Sequence, residues 1–309
     1  MSLEIRQDYF LKKYVIVTPQ RAQRPQGIKQ IQKSSKEKKV NCPFCPSGVE
    51  KNLILKVYPS LSKKQPWSAM AIKNKYPIVS LDSPRAYGQH EVIIESPEHN
   101  KQLSELNLKE TVNLLNIFKH RTEILSRISK IDYILIFKNE GGKAGASLPH
   151  SHCQIFASEI LPPDLEEEFK AMKKYQGEYQ HCPYCDILKK EEKSPRSVYV
   201  DKNVVAFCPY ASAYHYETWI FPRRHLDNIN NLTKKETLSF ARALKKILEK
   251  IEQMNLAYNF FLHQVISENN QHFYLKIQPR QSVWGGLELG SGIVVNSLSP
   301  EKAAQYLRK

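Results

Sequence analysis

The sequence predicts an α+β fold made of two tandem halves, each an antiparallel sheet with one long helix against it. Three observations point there. Two Cys-x-x-Cys pairs occur, Cys42/Cys45 and Cys182/Cys185. After each pair comes the same succession of strands, histidine, helix, strand and histidine, a repeat of order more than of identity. Both helices open on the same local signal, a side-chain acceptor followed three residues later by glutamate.

Taken in order, the first half opens with the apolar run 14–17 and reaches its first cysteine pair after the lysine-rich stretch 33–39, which reads as a mobile loop. Strand-like residues 90–94 precede His99, and eight residues later Asn107 and Glu110 form a capping box. The helix it starts carries Val112, Leu115, Ile117 and Leu125 toward a core. The apolar strand 133–137 follows, and then His150. In the second half, residues 216–220 precede His225, and Thr233 with Glu236 opens a helix that repeats Leu238, Ala241, Leu244, Leu248 and Ile251 on one face. The strand 258–262 then leads to His272. Residues 90–94 align with 216–220 by this scheme. The acidic helix from Asp164 to Lys174 marks the boundary, so the halves span 1–165 and 166–309.

Bulk properties narrow the class. The chain has 309 residues, is 41% hydrophobic and contains no apolar run long enough for a membrane span. Its N-terminus, from Met1 to Arg6, lacks the apolar core of a secretory signal, so a cytoplasmic protein is expected. The net charge of +15 would suit a polyanionic partner, nucleotide or nucleic acid, but a lysine-rich solvated surface is the simpler reading, and charge alone decides nothing. A basic zinc protein bound to nucleic acid is the reading from another class, yet the chain offers no finger spacing, recognition helix or stacking array.

Without a secretory signal, paired cysteines point to metal or redox work rather than a disulfide framework. Two similar pairs favour metal. Zinc takes four tetrahedral ligands from thiolates and imidazoles. Cys42, Cys45, His99 and His150 would make one closed, structural site, and Cys182, Cys185, His225 and His272 another. His181, beside Cys182, is a competing ligand for the second.

The segment from Gly145 to Phe156 reads as a loop entering a strand, whose alternation sets His150, His152 and Gln154 on one face. If His150 holds zinc, His152 is held rigidly beside it. A fixed imidazole suits a nucleophile, and Gln154 could donate its amide hydrogen to a phosphoryl oxygen. In the second half the matching positions are Tyr274 and Lys276, so only one half should be active. Lys276 either contacts substrate phosphate or faces solvent.

Gly145, Ser147, Pro149, His150, His152 and Gln154 make up Gly-x-Ser-x-Pro-His-x-His-x-Gln, which resembles the signature of the galactose-1-phosphate uridylyltransferases, a branch of the histidine-triad superfamily. The resemblance spans nearly the whole chain and implies two histidine-triad-like halves. It implies zinc on Cys42, Cys45, His99 and His150, and His152 as nucleophile. It further implies phosphate contacts from Arg21 and Arg24, a ribose contact from Asn74, and a nucleotide-phosphate loop at Asn139, Gly145 and Ser147. The implied reaction is double displacement: His152 takes a nucleoside monophosphate from a nucleotide sugar, and a sugar 1-phosphate or phosphate collects it. A homodimer is implied too, with the partner chain completing the cleft.

Two departures matter. The uridylyltransferases carry a second His-x-His near the C-terminus, where this chain has Lys276 and Gln278, so that second metal site is not expected. The stretch Trp284 to Gly292 is closer to the branch typified by plant ADP-glucose phosphorylase, which also resembles this chain in its second cysteine-pair zinc site. There glycine amides can approach phosphate and Glu288 can hold sugar hydroxyls. Uridine or adenosine, and sugar phosphate or inorganic phosphate, both stay open.

Overall fold

A computed structural model describes residues 3–23, 41–61, 65–266 and 271–309, so the stretch 33–39 and Arg24 lie outside the described residues. The chain runs β1 (Glu4–Gln7), β2 (Tyr14–Val17), β3 (Ile54–Pro59), β4 (Trp67–Lys73), β5 (Gly88–Ile94), α1 (Leu108–Leu125), β6 (Tyr133–Glu140) and β7 (His152–Ser158). It continues with α2 (Pro163–Tyr179), α3 (Pro183–Glu191), β8 (Ser197–Val200), β9 (Val204–Phe207), β10 (Thr218–Pro222), α4 (Lys234–Gln253), β11 (Tyr258–His263) and β12 (Tyr274–Pro279). The C-terminal elements are α5 (Gly286–Ser291), β13 (Val294–Asn296) and α6 (Pro300–Arg308).

Both capping boxes form. The Asn107 side chain accepts from the Glu110 amide at 3.0 Å while the Glu110 carboxylate accepts from the Asn107 amide at 2.8 Å. Thr233 and Glu236 repeat the exchange at 3.3 and 2.8 Å. Each box satisfies backbone donors that a helix start leaves without partners.

Ten strands build one antiparallel sheet in the order β3-β4-β5-β7-β6-β11-β12-β10-β9-β8. The first five come from the first half, and the last five repeat that order in reverse. The two half-sheets therefore meet edge to edge along β6 and β11, related by an approximate twofold axis at the Phe137–Phe261 pair. Joining them covers two apolar strands that would otherwise be open edges. Helices α1 and α4 lie together on one face. Leu114, Ile117 and Phe118 of α1 and Phe240, Leu244, Ile247 and Leu248 of α4 are fully buried there with Ile93, Ile155, Ile220 and Leu275. Each such side chain contributes about 1.5–3 kcal/mol by leaving water. Val112 and Leu238, expected in these cores, are only half-buried.

The other face holds the chemistry. In the first half Trp67, Ile72, Val92 and Ile94 pack beneath Phe44 and the first cysteine pair. In the second half Trp219, Phe221 and Tyr274 are covered by Met172 of α2 and Tyr184 of α3, and Tyr9 and Phe10 pack against them. Strands β1 and β2 join β13 in a small separate sheet, β13 running parallel to β2, so the chain's opening residues pack against the second half.

The sheet register corrects one sequence alignment. Val92 stands opposite Gln154, and Trp219 stands opposite Lys276, so residue 92 corresponds to 219 rather than 218. The first half has one more residue, Glu95, between its strand and its histidine. A one-residue shift exchanges faces, and it makes Glu217 rather than Tyr216 the counterpart of His90.

Candidate active site

Strand β7 starts at His152, and its alternation sends Cys153, Ile155 and Ala157 into the helix-packed core. His152 and Gln154 face the other way. The His152 ring is buried, and its Nδ1 lies 2.9 Å from the backbone carbonyl of His150. A carbonyl only accepts, so Nδ1 carries the hydrogen and Nε2 keeps its lone pair. Burial holds the imidazole below its ordinary pKa of 6.5, which favours the neutral ring. Phe44, between the first two cysteines, packs its ring 5.0 Å from that of His152. His152 lines a cavity of about 430 Å³ together with Asn139, Ser147 and, from the end of α4, Glu252 and Asn255.

A buried polar network fixes the backbone behind the ring. The Lys138 ammonium donates to Glu95 at 2.9 and 3.1 Å and to the Ser151 hydroxyl at 2.8 Å, all three side chains being buried. Burial alone would lower the lysine's pKa, but Glu95 and Glu140 raise it and keep it charged. Such a network is costly to break because a lone buried charge would remain. It locks Ser151 between the two histidines.

Each cysteine pair gathers with two histidines. The ligand atoms of Cys42, Cys45, His99 and His150 all lie within 4.8 Å of one another, as do those of Cys182, Cys185, His225 and His272. The His150 Nδ1 is 3.4 and 3.7 Å from the two sulfurs of its site, and His99 Nδ1 is 3.5 Å from Cys45. In the second group, His225 and His272 each place Nδ1 3.7 Å from Cys185. A tetrahedral zinc with ordinary bond lengths sets sulfur and nitrogen roughly 3.5 Å apart, so both donor sets fit one. The far nitrogens are matched as well. His150 Nε2 donates to the Ser96 carbonyl at 2.8 Å and His272 Nε2 to that of Pro222 at 2.9 Å. That second bond orients a ligating imidazole and presents its Nδ1. His181 is not part of the second group; its ring faces Asp186 at 2.6 Å and is largely exposed.

The remaining expected residues fall in four places, apart from Arg24. Gly145, in the left-handed region at φ +85°, ends the turn that follows β6. The Asn139 carbonyl accepts from Asn259 at 2.8 Å, so β11 of the second half holds it. The Asn74 side-chain nitrogen lies 3.3 Å from His90, close to Gln154. Arg21 and Glu288 are near enough for the arginine's charge to act on the carboxylate, but among the described residues neither lines the His152 cavity. Lys276 lines a separate cavity of about 580 Å³ in the second half with Glu217, His263 and Trp284. There its ammonium sits 4.6 Å from the Trp219 ring and 5.5 Å from that of Phe261. Arg24 lies outside the described residues.

Sequence reasoning passed over His90, Glu95, Lys138, Phe44 and Asn259. Three of these carried a signal. Lys138 follows five strand residues without a charge, and Glu95 ends the apolar run of β5; a charge in a buried strand needs a partner. Strand alternation would also have put His90 on the Val92 face.

Comparison with known proteins agrees with this geometry. Residues 2–162 match the family described as galactose-1-phosphate uridyl transferase, N-terminal domain. ADP-glucose phosphorylase of Arabidopsis thaliana is 30% identical over 100% of this chain and 93% of its own length. Galactose-1-phosphate uridylyltransferase of Thermotoga maritima is 31% identical over 99% of this chain and 98% of its own. Among solved structures, the Arabidopsis ADP-glucose phosphorylase with bound ADP-glucose superposes with a TM-score of 0.86 at 30% identity, covering 100% of this chain and 99% of the other. A uridylyltransferase structure superposes with a TM-score of 0.78 at 26% identity, covering 99% and 97%.

Proposed function

Because the chain belongs to the galactose-1-phosphate uridylyltransferase family, we propose that it moves a nucleoside monophosphate from a nucleotide sugar to a sugar 1-phosphate by double displacement on His152. The observation that carries this reading is the His152 ring itself, tied at Nδ1 to the His150 carbonyl with Nε2 free. In the first step Nε2 bonds to the α-phosphorus, and the bond from that phosphorus to the bridging oxygen breaks. The sugar 1-phosphate leaves with the electron pair. The ring then carries positive charge, which its Nδ1–H shares with the His150 carbonyl. In the second step an acceptor phosphate oxygen attacks the same phosphorus and the P–N bond breaks. Neither step needs a strong acid: the first expels a weakly basic phosphate oxygen, and the second expels the neutral imidazole, which takes the electron pair of the P–N bond. The Gln154 amide and the Ser147 loop neutralise phosphoryl charge.

Zinc is the metal we assign to both four-ligand groups. Closed Cys₂His₂ sites supply rigidity rather than chemistry, here by clasping the loop before β7 to that after β5. Arg21 and Glu288 do not line their own chain's His152 cavity, which supports a homodimer in which they complete the partner's; the location we propose is the cytoplasm. Exposed Val283, Leu287 and Leu289 beside Glu288 fit such an interface. The repeat divides the labour: residues 1–165 carry the nucleophile, and 166–309 carry Glu288, which reaches across together with Arg21 of the first half. The family accommodates the +15 charge in an enzyme of anionic substrates, without a nucleic-acid partner.

A second reading is favoured by the likeness to ADP-glucose phosphorylase: adenylyl transfer with inorganic phosphate as acceptor. Loading the enzyme with radiolabelled nucleotide and chasing it separates the two. Discharge by galactose 1-phosphate or glucose 1-phosphate, but not by phosphate, supports the transferase. Discharge by phosphate alone supports the phosphorylase, and discharge by none of them removes both.

A further inference from the structure

We infer that His90, a residue with no part in the motif, is a positioning residue that aims the Gln154 amide at the reacting phosphoryl group; the inference rests on the double displacement proposed above. The orientation of a glutamine amide is ordinarily ambiguous, because its oxygen and nitrogen look alike. Here a backbone group settles it. The Ile78 amide nitrogen lies 3.2 Å from His90 Nδ1, and a backbone N–H can only donate. Nδ1 is therefore the acceptor, and the ring's hydrogen is on Nε2. That Nε2 lies 3.0 Å from Gln154 Oε1, so it donates and the glutamine oxygen accepts. The Gln154 NH₂ is left pointing away from His90.

The face on which this occurs makes it useful. His90 in β5 and Gln154 in β7 belong to adjacent strands, His90 lying two residues along from the Val92 that faces Gln154, and both side chains leave the sheet on the His152 side. The His90 ring is 4% exposed, and burial lowers its pKa, which is consistent with the neutral tautomer that the Ile78 contact requires. A solvent-facing glutamine samples several rotamers, whereas one whose carbonyl is held by a buried imidazole presents its two donors in one direction. Donors aimed in advance at developing charge accelerate phosphoryl transfer, since they need not reorganise during the step. Asn74 touches His90 through its nitrogen, 3.3 Å from Nδ1, but its carbonyl keeps an anchor of its own in the Tyr76 amide at 2.8 Å, so loss of His90 should weaken nucleotide binding far less than it slows the chemical step.

The second half supplies an internal contrast. By sheet register, Glu217 takes the place of His90 and Lys276 that of Gln154. There the Glu217 carboxylate caps the Ala213 amide at 2.9 Å and receives the Trp219 indole at 2.9 Å. At this register position the second half carries no imidazole, so the His90–Gln154 pairing has no counterpart there.

The test is a double-mutant cycle on the full-length zinc-loaded enzyme, following formation of the nucleotidyl adduct at saturating nucleotide sugar. His90→Phe keeps a ring but cannot donate. It should slow adduct formation by about 10- to 100-fold, while the dissociation constant changes less than about threefold. His90→Gln, whose amide can still donate to Gln154, should recover part of the rate. In a Gln154→Ala background His90→Phe should have almost no further effect. Equal losses from His90→Phe in both backgrounds would overturn the inference, because a merely structural role predicts them. Nitrogen NMR of the resting wild-type enzyme reads the tautomer independently of activity, and a His90 protonated on Nδ1 alone would also overturn it. Failure of the wild-type enzyme to form any adduct would instead remove the double displacement, and this inference with it.

Discussion

Cys153 follows the proposed nucleophile directly, yet its thiol points into the core with no exposed surface and donates to Glu95 at 2.9 Å. Burial, and then the Glu95 charge, push its pKa well above the ordinary thiol value. Since the thiolate is the reactive species, Cys153 should resist thiol reagents in the folded enzyme and react only on unfolding. Mass mapping after brief alkylation checks this; rapid native labelling of Cys153 would mean that β7 opens. At this scale the sequence spoke clearly wherever a residue's chemistry is rare. Cysteine pairs and the His-x-His motif have few other uses, so the two four-residue groups that the fold gathers, and the candidate nucleophile, were legible. The partners of His90 and Lys138 were not, because they depend on which strand lies alongside, and antiparallel register is not local information.

At the scale of elements, a buried acid ties α2 to both β11 and α3. Glu168 pairs with His263 of β11 at 2.7 Å and accepts from Tyr184 of α3 at 3.0 Å. Burial alone would raise its pKa, but His263, with Lys276 and Tyr184, brings it down to about 2 from an ordinary 4.5. The sign follows from linkage: a carboxylate whose pKa is depressed on folding adds stability above its unfolded value, and that stability is lost as pH falls from 4.5 toward 2. Hydrogen exchange of α2 should therefore rise through this window in the wild type. In Glu168→Gln it should start higher and depend less on pH, and an unchanged acid response would contradict the clamp. Helix starts were the most legible elements, since a capping box is written within four residues. Thr233→Ala should cost about 1 kcal/mol of stability in a denaturant titration.

Across the whole molecule, the sequence made the duplication visible through its ligand order, but not the way the halves join. The seam between β6 and β11 depends on two distant strands meeting, and either could have been an edge. The joining has a functional side: Asn259 and the end of α4, both from the second half, shape the cleft of the first. The partner chain is expected to add the rest. If Glu288 serves the other subunit's His152, mixed dimers of His152→Ala and Glu288→Ala rebuild one complete site. Two nearly inactive proteins, dissociated and recombined, should then regain about a quarter of wild-type activity, as symmetry requires. No recovery, with mixed dimers demonstrably formed, would place Glu288 in its own chain's cleft or outside the reaction.

The central claim is the covalent bond to His152, and intact-protein mass reads it most directly. Brief exposure to UDP-glucose and, separately, ADP-glucose should add one nucleoside monophosphate to the wild type with one of them, naming the base. The same treatment should add nothing to His152→Ala. A mass gain that survives in His152→Ala, or no gain in the wild type with either sugar nucleotide, would contradict the account.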